Sequence, residues 1–253
     1  MALEPRAPRL AVLIDADNAS PRIASGLFEE IAKLGEASVR RIYGDFSGTR
    51  LKAWADILSA HGIMAHQNFA TTSGKNASDI ALVIDAMDLL HSGRFDGFCL
   101  VSSDSDFTRL AARIREQGVD VFGFGEQKTP ECFRQACRRF IYTENLMPAP
   151  SPAKSADAPV VAASTALQPP TKAVPLIRTA LGQIAEGESG WVSLSLVGKR
   201  LLALRSDFDP RNFGHARLSE LVRKTGQFDV ETREGGGVYI RIKAPVAKKV
   251  KVG

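Results

Sequence analysis

Two apolar runs in this sequence stop abruptly at aspartates: LAVLIDADN, from Leu10 to Asn18, and GFCLVSSDSDF, from Gly97 to Phe107. A short, continuous apolar run that ends on carboxylates reads as a strand buried on both faces that delivers acids to the carboxyl edge of a parallel sheet. That edge is where open α/β sheets bind their ligands. Asp15, Asp17, Asp104 and Asp106 are then gathered from distant parts of the chain. Carboxylates are costly to hold together in an apolar neighbourhood unless something positive joins them, and a divalent metal ion is the simplest such group.

The chain around these runs is long enough for one large domain or two modest ones, with 253 residues, 44% of them hydrophobic. That is ample for packed cores and excludes a disordered chain. No apolar segment reaches the length of a membrane span, and the start, MALEPRAPRL, lacks a secretory pattern. Cys99, Cys132 and Cys137 form no C-x-x-C pair, which fits core thiols in a reducing compartment. A cytoplasmic protein with no membrane partner is expected. The net charge of +5 and pI near 9.2 favour a polyanion such as nucleic acid over other acidic partners.

From Pro148 to Pro175 the sequence is rich in Pro, Ala and Ser and carries no sustained period, so residues 148–175 read as a flexible linker. Before it, residues 8–147 alternate short apolar runs with helix-period segments, the grammar of βαβ units around a parallel sheet. Strands are expected near 10–14, 37–43, 63–66, 97–102 and 119–124. Ser20 and Pro21 open a helix with Ile23, Leu27, Ile31 and Leu34 inward. Leu51, Trp54, Ala55 and Leu58 make a second stripe, stopped by Gly62. A third helix starts near Ala77, with Ile80, Ala81, Ile84 and Met87 inward and Asp79 in its first turn, where a carboxylate suits the helix dipole.

Residues 176–243 follow a different pattern: LIRTALGQIA helical, WVSL a short strand, SLVGKRLLAL helical, and FGHARLSELVRKT a third helix with Phe213, Leu218, Leu221 and Val222 inward. FDVETRE, a Gly235-Gly236-Gly237 turn and VYIRIK then make a β-hairpin. Three small helices and a hairpin form a winged helix, a smaller α+β domain. A short basic tail, residues 244–253, closes the sequence and could add affinity for a polyanion.

The candidate chemistry lies in Asp15, Asp17, Asp79, Asp104 and Asp106, with Asn18 as a neutral oxygen donor. Mg²⁺ or Mn²⁺ would suit such a hard-oxygen set, which leaves room for bound waters. Asp17 or Asp106 alone is equally a turn or cap residue, but the shared position of the whole set at two strand ends and one helix start favours a site. His61, His66, His91 and His215 are scattered, no nucleophile triad is present, and Ser73-Gly74-Lys75 is too short for a phosphate loop. Lys75 precedes Asp79 and reads equally as a holder of a substrate phosphate or as a solvated loop lysine. In the second domain, Arg217, Arg223, Lys224, Arg233 and Arg241 are candidates for an RNA-phosphate surface.

LIDADN, GKNASDIALVIDAMDLL, LVSSDSDFTRLAARIREQGVDVFGFG and a closing helix with CFRQACRRFIYTENL, taken in order, resemble the NYN domain of the PIN-like nuclease superfamily. The resemblance implies an α/β fold, a parallel-sheet, PIN-like (Rossmannoid) three-layer domain, and a metal-dependent ribonuclease. In it Asp15, Asp79, Asp104 and Asp106 correspond to the acidic, metal-holding cluster, with Asn18 beside it, and Asp85 matches a further acidic position. By spacing, Asp85 lies some six residues along the helix from Asp79 and is set deeper. The stretch DPRNFGHARLSELVRKTGQFDV and the following GGGVYIRI resemble the LOTUS, or OST-HTH, module, a winged helix associated with RNA binding.

An endoribonuclease with a tethered RNA-binding domain is therefore expected, with RNA as its partner and DNA left as an open alternative. Two alternatives fit parts of the pattern. One is a non-catalytic RNA-binding regulator or scaffold on the same fold. The other is a phosphatase of the haloacid dehalogenase type, with Asp15 as nucleophile and Asp17 as general acid, although Asn18 departs from that pattern.

Overall fold

The computed structural model describes residues 6–69, 77–147, 167–184, 190–233 and 235–243, and the chain divides into two compact units, Met1–Ala163 and Ser164–Gly253. In the first unit six parallel strands, β1 (Arg9–Asp15), β2 (Glu36–Gly44), β3 (Met64–Gln67), β4 (Gly97–Val101), β5 (Asp120–Gly125) and β6 (Arg139–Tyr142), lie in the order β3-β2-β1-β4-β5-β6. The order reverses beside β1, which pairs with β2 on one side and β4 on the other.

Successive side chains of β1 alternate between two cores, as the pleat requires. Leu10, Val12 and Ile14 pack with α1 (Ala24–Ala32), α2 (Lys52–Ala55) and α3 (Leu58–His61). Ala11 and Leu13 pack towards α4 (Ala77–His91), α5 (Thr108–Glu116) and α6 (Glu131–Ala136). Burial on both faces explains the unbroken apolar runs of β1 and β4.

In this unit four sequence expectations change. The inward stripe assigned to α4 is turned: Leu82, Ala86, Leu89 and Leu90 are buried, while Ile80 and Ile84 are 60% and 58% exposed. The helix is apolar on two sides, so its period alone does not choose between them. The expected closing helix covers only Glu131–Ala136, and RFIY continues as the edge strand β6, whose Phe140 and Ile141 enter opposite cores. The stripe from Leu51 to Leu58 is two short helices, ended at Gly62 by a left-handed residue of φ 61°. Cys99 and Cys137 are core residues, but Cys132 is exposed.

The second unit holds α7 (Val174–Gly182), α8 (Leu194–Leu204), α9 (Leu218–Thr225) and a three-stranded antiparallel sheet, β7 (Val192–Ser193), β8 (Phe228–Thr232) and β9 (Val238–Ile242), in the order β7-β9-β8. Its start lies earlier than composition suggests: Pro170–Ala173 form a 3-10 turn and Ala173 is buried in the core, because prolines also start helices. Residues 148–166 and the basic tail lie outside the described residues. Phe213 belongs to a 3-10 turn, Pro210–Phe213, and Gly214 at φ 78° separates it from α9. No helix among the described residues is long and apolar enough to cross a membrane.

Candidate active site

β1 and β4 run side by side, so their carboxyl ends open onto one point of the sheet edge, where the strand order reverses. Asp15 ends β1 and is 1% exposed. Its Oδ1 accepts from the Asp17 amide at 3.0 Å, and its Oδ2 accepts from Asn18 Nδ2 at 2.7 Å and Ser102 Oγ at 2.8 Å. Burial raises its carboxyl above the usual range, only partly opposed by these donors.

Ser102 joins the two strand ends. Its hydroxyl donates to Asp15 and accepts from the Asp104 amide at 3.0 Å, while its own amide donates to Phe124 O at 2.9 Å. Gly125 allows this packing, since a Cβ there would stand 2.6 Å from Ser102 O and 2.8 Å from Thr129 Oγ1. Asp104 begins the 3-10 turn Ser105–Phe107 and accepts from the Asp106 amide at 2.9 Å, which orients its carboxylate as a cap. Asp106 is exposed one residue into that turn.

Asp79 comes to the same edge from the first turn of α4. Burial and then the negative charges of Asp15, Asp104, Asp17 and Asp106 push its carboxyl up to about 6. Asp79 thus feels the field of all four other acids. Such a mutually repelling set of hard oxygen donors fits a divalent cation. No three His, Cys, Asp or Glu side chains among the described residues are arranged to clasp an ion directly. Water-bridged coordination, usual for Mg²⁺, is the arrangement these acids suit.

The remaining expected residues take different positions. Asp17 is ion-paired with Arg50, and both line an open cleft of about 190 Å³ with Leu51 and Trp54 beside the acidic edge. Asn18 serves Asp15 through its side-chain amide. Asp85 faces the sheet from α4, accepting from Arg41 Nη1 and Tyr43 Oη of β2, and so acts there as a clamp between layers. Burial and the Asp85 carboxylate push the Tyr43 hydroxyl upward in pKa. Lys75 lies outside the described residues. In the second unit Arg217 stands at the N-terminal end of α9, Arg223 and Lys224 lie in its last turn, and Arg233 and Arg241 lie with the hairpin. Sequence reasoning missed Ser102 and Arg50. A hydroxyl between a buried strand and an acidic turn is a signal for the first; nothing local marks the second.

An open parallel sheet with aspartates at its switch point, followed by a winged helix, is an α/β domain with a ligand-binding edge joined to a module of the kind that binds nucleic acid. The chain belongs to the NYN domain family, whose model matches residues 9–145, and an OST-HTH/LOTUS domain follows at residues 168–240. NYN is a PIN-like nuclease domain and OST-HTH a module that binds RNA. The NYN match favours this fold over a dehalogenase-type phosphatase. No curated protein matches the chain. A solved protein of unknown function from Vibrio parahaemolyticus is 18% identical, with a TM-score of 0.47, over 56% of this chain and 96% of its own. An uncharacterized protein from Nitrosomonas europaea is 33% identical, with a TM-score of 0.27, over 39% of this chain and 91% of its own.

Proposed function

We propose that this protein is a cytoplasmic Mg²⁺- or Mn²⁺-dependent endoribonuclease whose NYN unit cuts RNA and whose LOTUS unit holds it. The observation that supports this reading most is the joint placement of Asp15, Asp104 and Asp79: one Ser102 hydroxyl ties the first two, and their negative charge, with burial, raises the carboxyl of the third. Three unpaired cysteines suit a reducing compartment.

Asp15, Asp79, Asp104 and Asp106 would hold the ion, directly or through water. When bound, a divalent ion supplies charge neutralisation at the phosphate and lowers the pKa of water. Ser102, Asn18 and the Asp17 amide fix Asp15 in one orientation, so no reorganisation is needed as substrate arrives. One of these acids would orient the attacking water, and Asp79, whose carboxyl is raised by burial and by the other four acids, is the one whose charge a bound cation would relieve most. The tethered second unit raises the local concentration of RNA at the cutting site.

The test is cleavage of linear RNA by the full chain with Mn²⁺. Wild type should cut roughly 100-fold or more faster than Asp104→Asn; equal rates would end the nuclease reading. A second reading, a non-catalytic RNA-binding protein, draws on the lack of a ready-made three-acid clasp among the described residues. It expects RNA affinity to survive loss of Asp15 and Asp104 and to depend on the second unit.

A further inference from the structure

The sheet of the second unit has an inner and an outer face. Phe228, Val230 and Ile240 turn inward to the core formed with α7, α8 and α9. By alternation Tyr239 and Arg241 of β9 turn outward, as do Asp229 and Glu231 of β8. Trp191, just before β7, lies on this outer face: the Arg241 guanidinium carbon stands 4.7 Å from its ring centroid. The Arg233 guanidinium carbon stands 4.1 Å from the Tyr239 ring and 6.0 Å from the Trp191 ring. Rings and guanidinium groups therefore alternate in the order Tyr239, Arg233, Trp191, Arg241.

The charge on this face is balanced. Asp229 takes Arg241 Nε at 3.0 Å and Glu231 lies 3.6 Å from Arg233 Nε. Two guanidiniums opposed by two carboxylates make a poor phosphate trap. They suit stacking better, because the carboxylates take the guanidiniums at Nε and the alternating row of rings and planar cations is a surface of the kind on which a base can add a further layer. The exposed Arg217, Arg223 and Lys224 of α9 have only Glu220 among them and form the more electropositive surface.

We propose that Trp191, Arg233, Tyr239 and Arg241 form a stacking platform for unpaired bases, so that the second unit takes single-stranded RNA on its sheet rather than a duplex on α9. The inference rests on the RNA-holding part of the proposed function, and it adds two residues, Trp191 and Tyr239, together with the strandedness of the ligand. Stacking tolerates any base, so the platform should show little sequence preference.

The test is fluorescence anisotropy of a labelled oligouridylate with the full chain in EDTA, where cleavage plays no part. Arg241→Lys keeps the charge but loses the planar group, and Trp191→Ala removes the central ring. Each should weaken binding at least about fivefold, whereas Trp191→Phe, which keeps a ring, should stay within about threefold of wild type. Arg241→Lys and Trp191→Phe keep the bulk of the side chain, and circular dichroism melts check that each variant is folded. Duplex RNA should compete less well than the single strand. Unchanged binding by Arg241→Lys and Trp191→Ala, or equal competition by duplex, would overturn the platform alone. No binding by wild type would overturn the RNA-holding reading and the platform together, while leaving the cleavage test of the first unit standing.

Discussion

Ser102 Oγ stands 2.8 Å from Asp15 Oδ2 and 3.0 Å from the Asp104 amide, so one buried hydroxyl couples the ends of β1 and β4. Ser102→Ala would leave the buried Asp15 carboxylate one donor short. Loss of a hydrogen-bond partner to a buried acceptor costs about 1–3 kcal/mol. Urea denaturation should show a loss of that size, and cleavage should fall with it, because Asp15 loses one of its three fixed donors.

Asp79 gives a pH prediction of unusual sign for an aspartate. Burial and the neighbouring acids push its folded carboxyl up to about 6, well above the usual carboxylate range. The folded protein therefore holds this proton more tightly, and between that range and the raised value the unfolded chain binds fewer protons. This contribution is greatest at acid pH and is lost as pH rises through that window. Asp79→Asn should melt higher than wild type well above pH 6, with a flatter stability profile, while losing cleavage. Equal melting of the two proteins above pH 6 would contradict the burial of Asp79 among the other acids.

Asp85 is read as a clamp on Arg41 and Tyr43 rather than an ion ligand. Asp85→Ala should destabilise the protein by about 1–3 kcal/mol, measured by denaturant unfolding, by leaving the buried Tyr43 hydroxyl and the partly buried Arg41 guanidinium without this acceptor. Mn²⁺ affinity of the folded variant, measured calorimetrically, should stay close to wild type. A loss of Mn²⁺ binding without a loss of stability would return Asp85 to the ion.

The turned face of α4 is checked by a pair of substitutions. Ile84→Ala, at an exposed position, should change stability by less than about 0.5 kcal/mol. Leu89→Ala, in the core, should cost about 2–5 kcal/mol. Thermal melts of the two variants give the comparison.

What could be read from sequence tracks how local the signal is. The runs ending at Asp15 and Asp104 mark buried parallel strands because burial on both faces leaves no alternation, and Gly235-Gly236 marks the hairpin because φ values of 91° and 80° favour glycine. β6 was hidden because RFIY follows a helical stretch directly and becomes a strand only by pairing with β5. The face of α4 was hidden because Ile80 and Leu82 are equally apolar in sequence, and only the neighbouring strands and Asp85's partners on β2 separate them. The acids of the site were legible as a set; the hydroxyl that couples them and the ion pair of Asp17 with Arg50 are long-range contacts that no window of sequence contains.

The central claim is that the acidic edge at the β1–β4 switch point cuts RNA internally with a divalent ion. The most direct measurement is the fate of a circular single-stranded RNA incubated with the full chain and Mn²⁺, since only an internal cut opens a circle. Wild type should linearise it and Asp104→Asn should leave it closed. A circle that stays intact with wild type, or one opened equally by Asp104→Asn, would contradict the account.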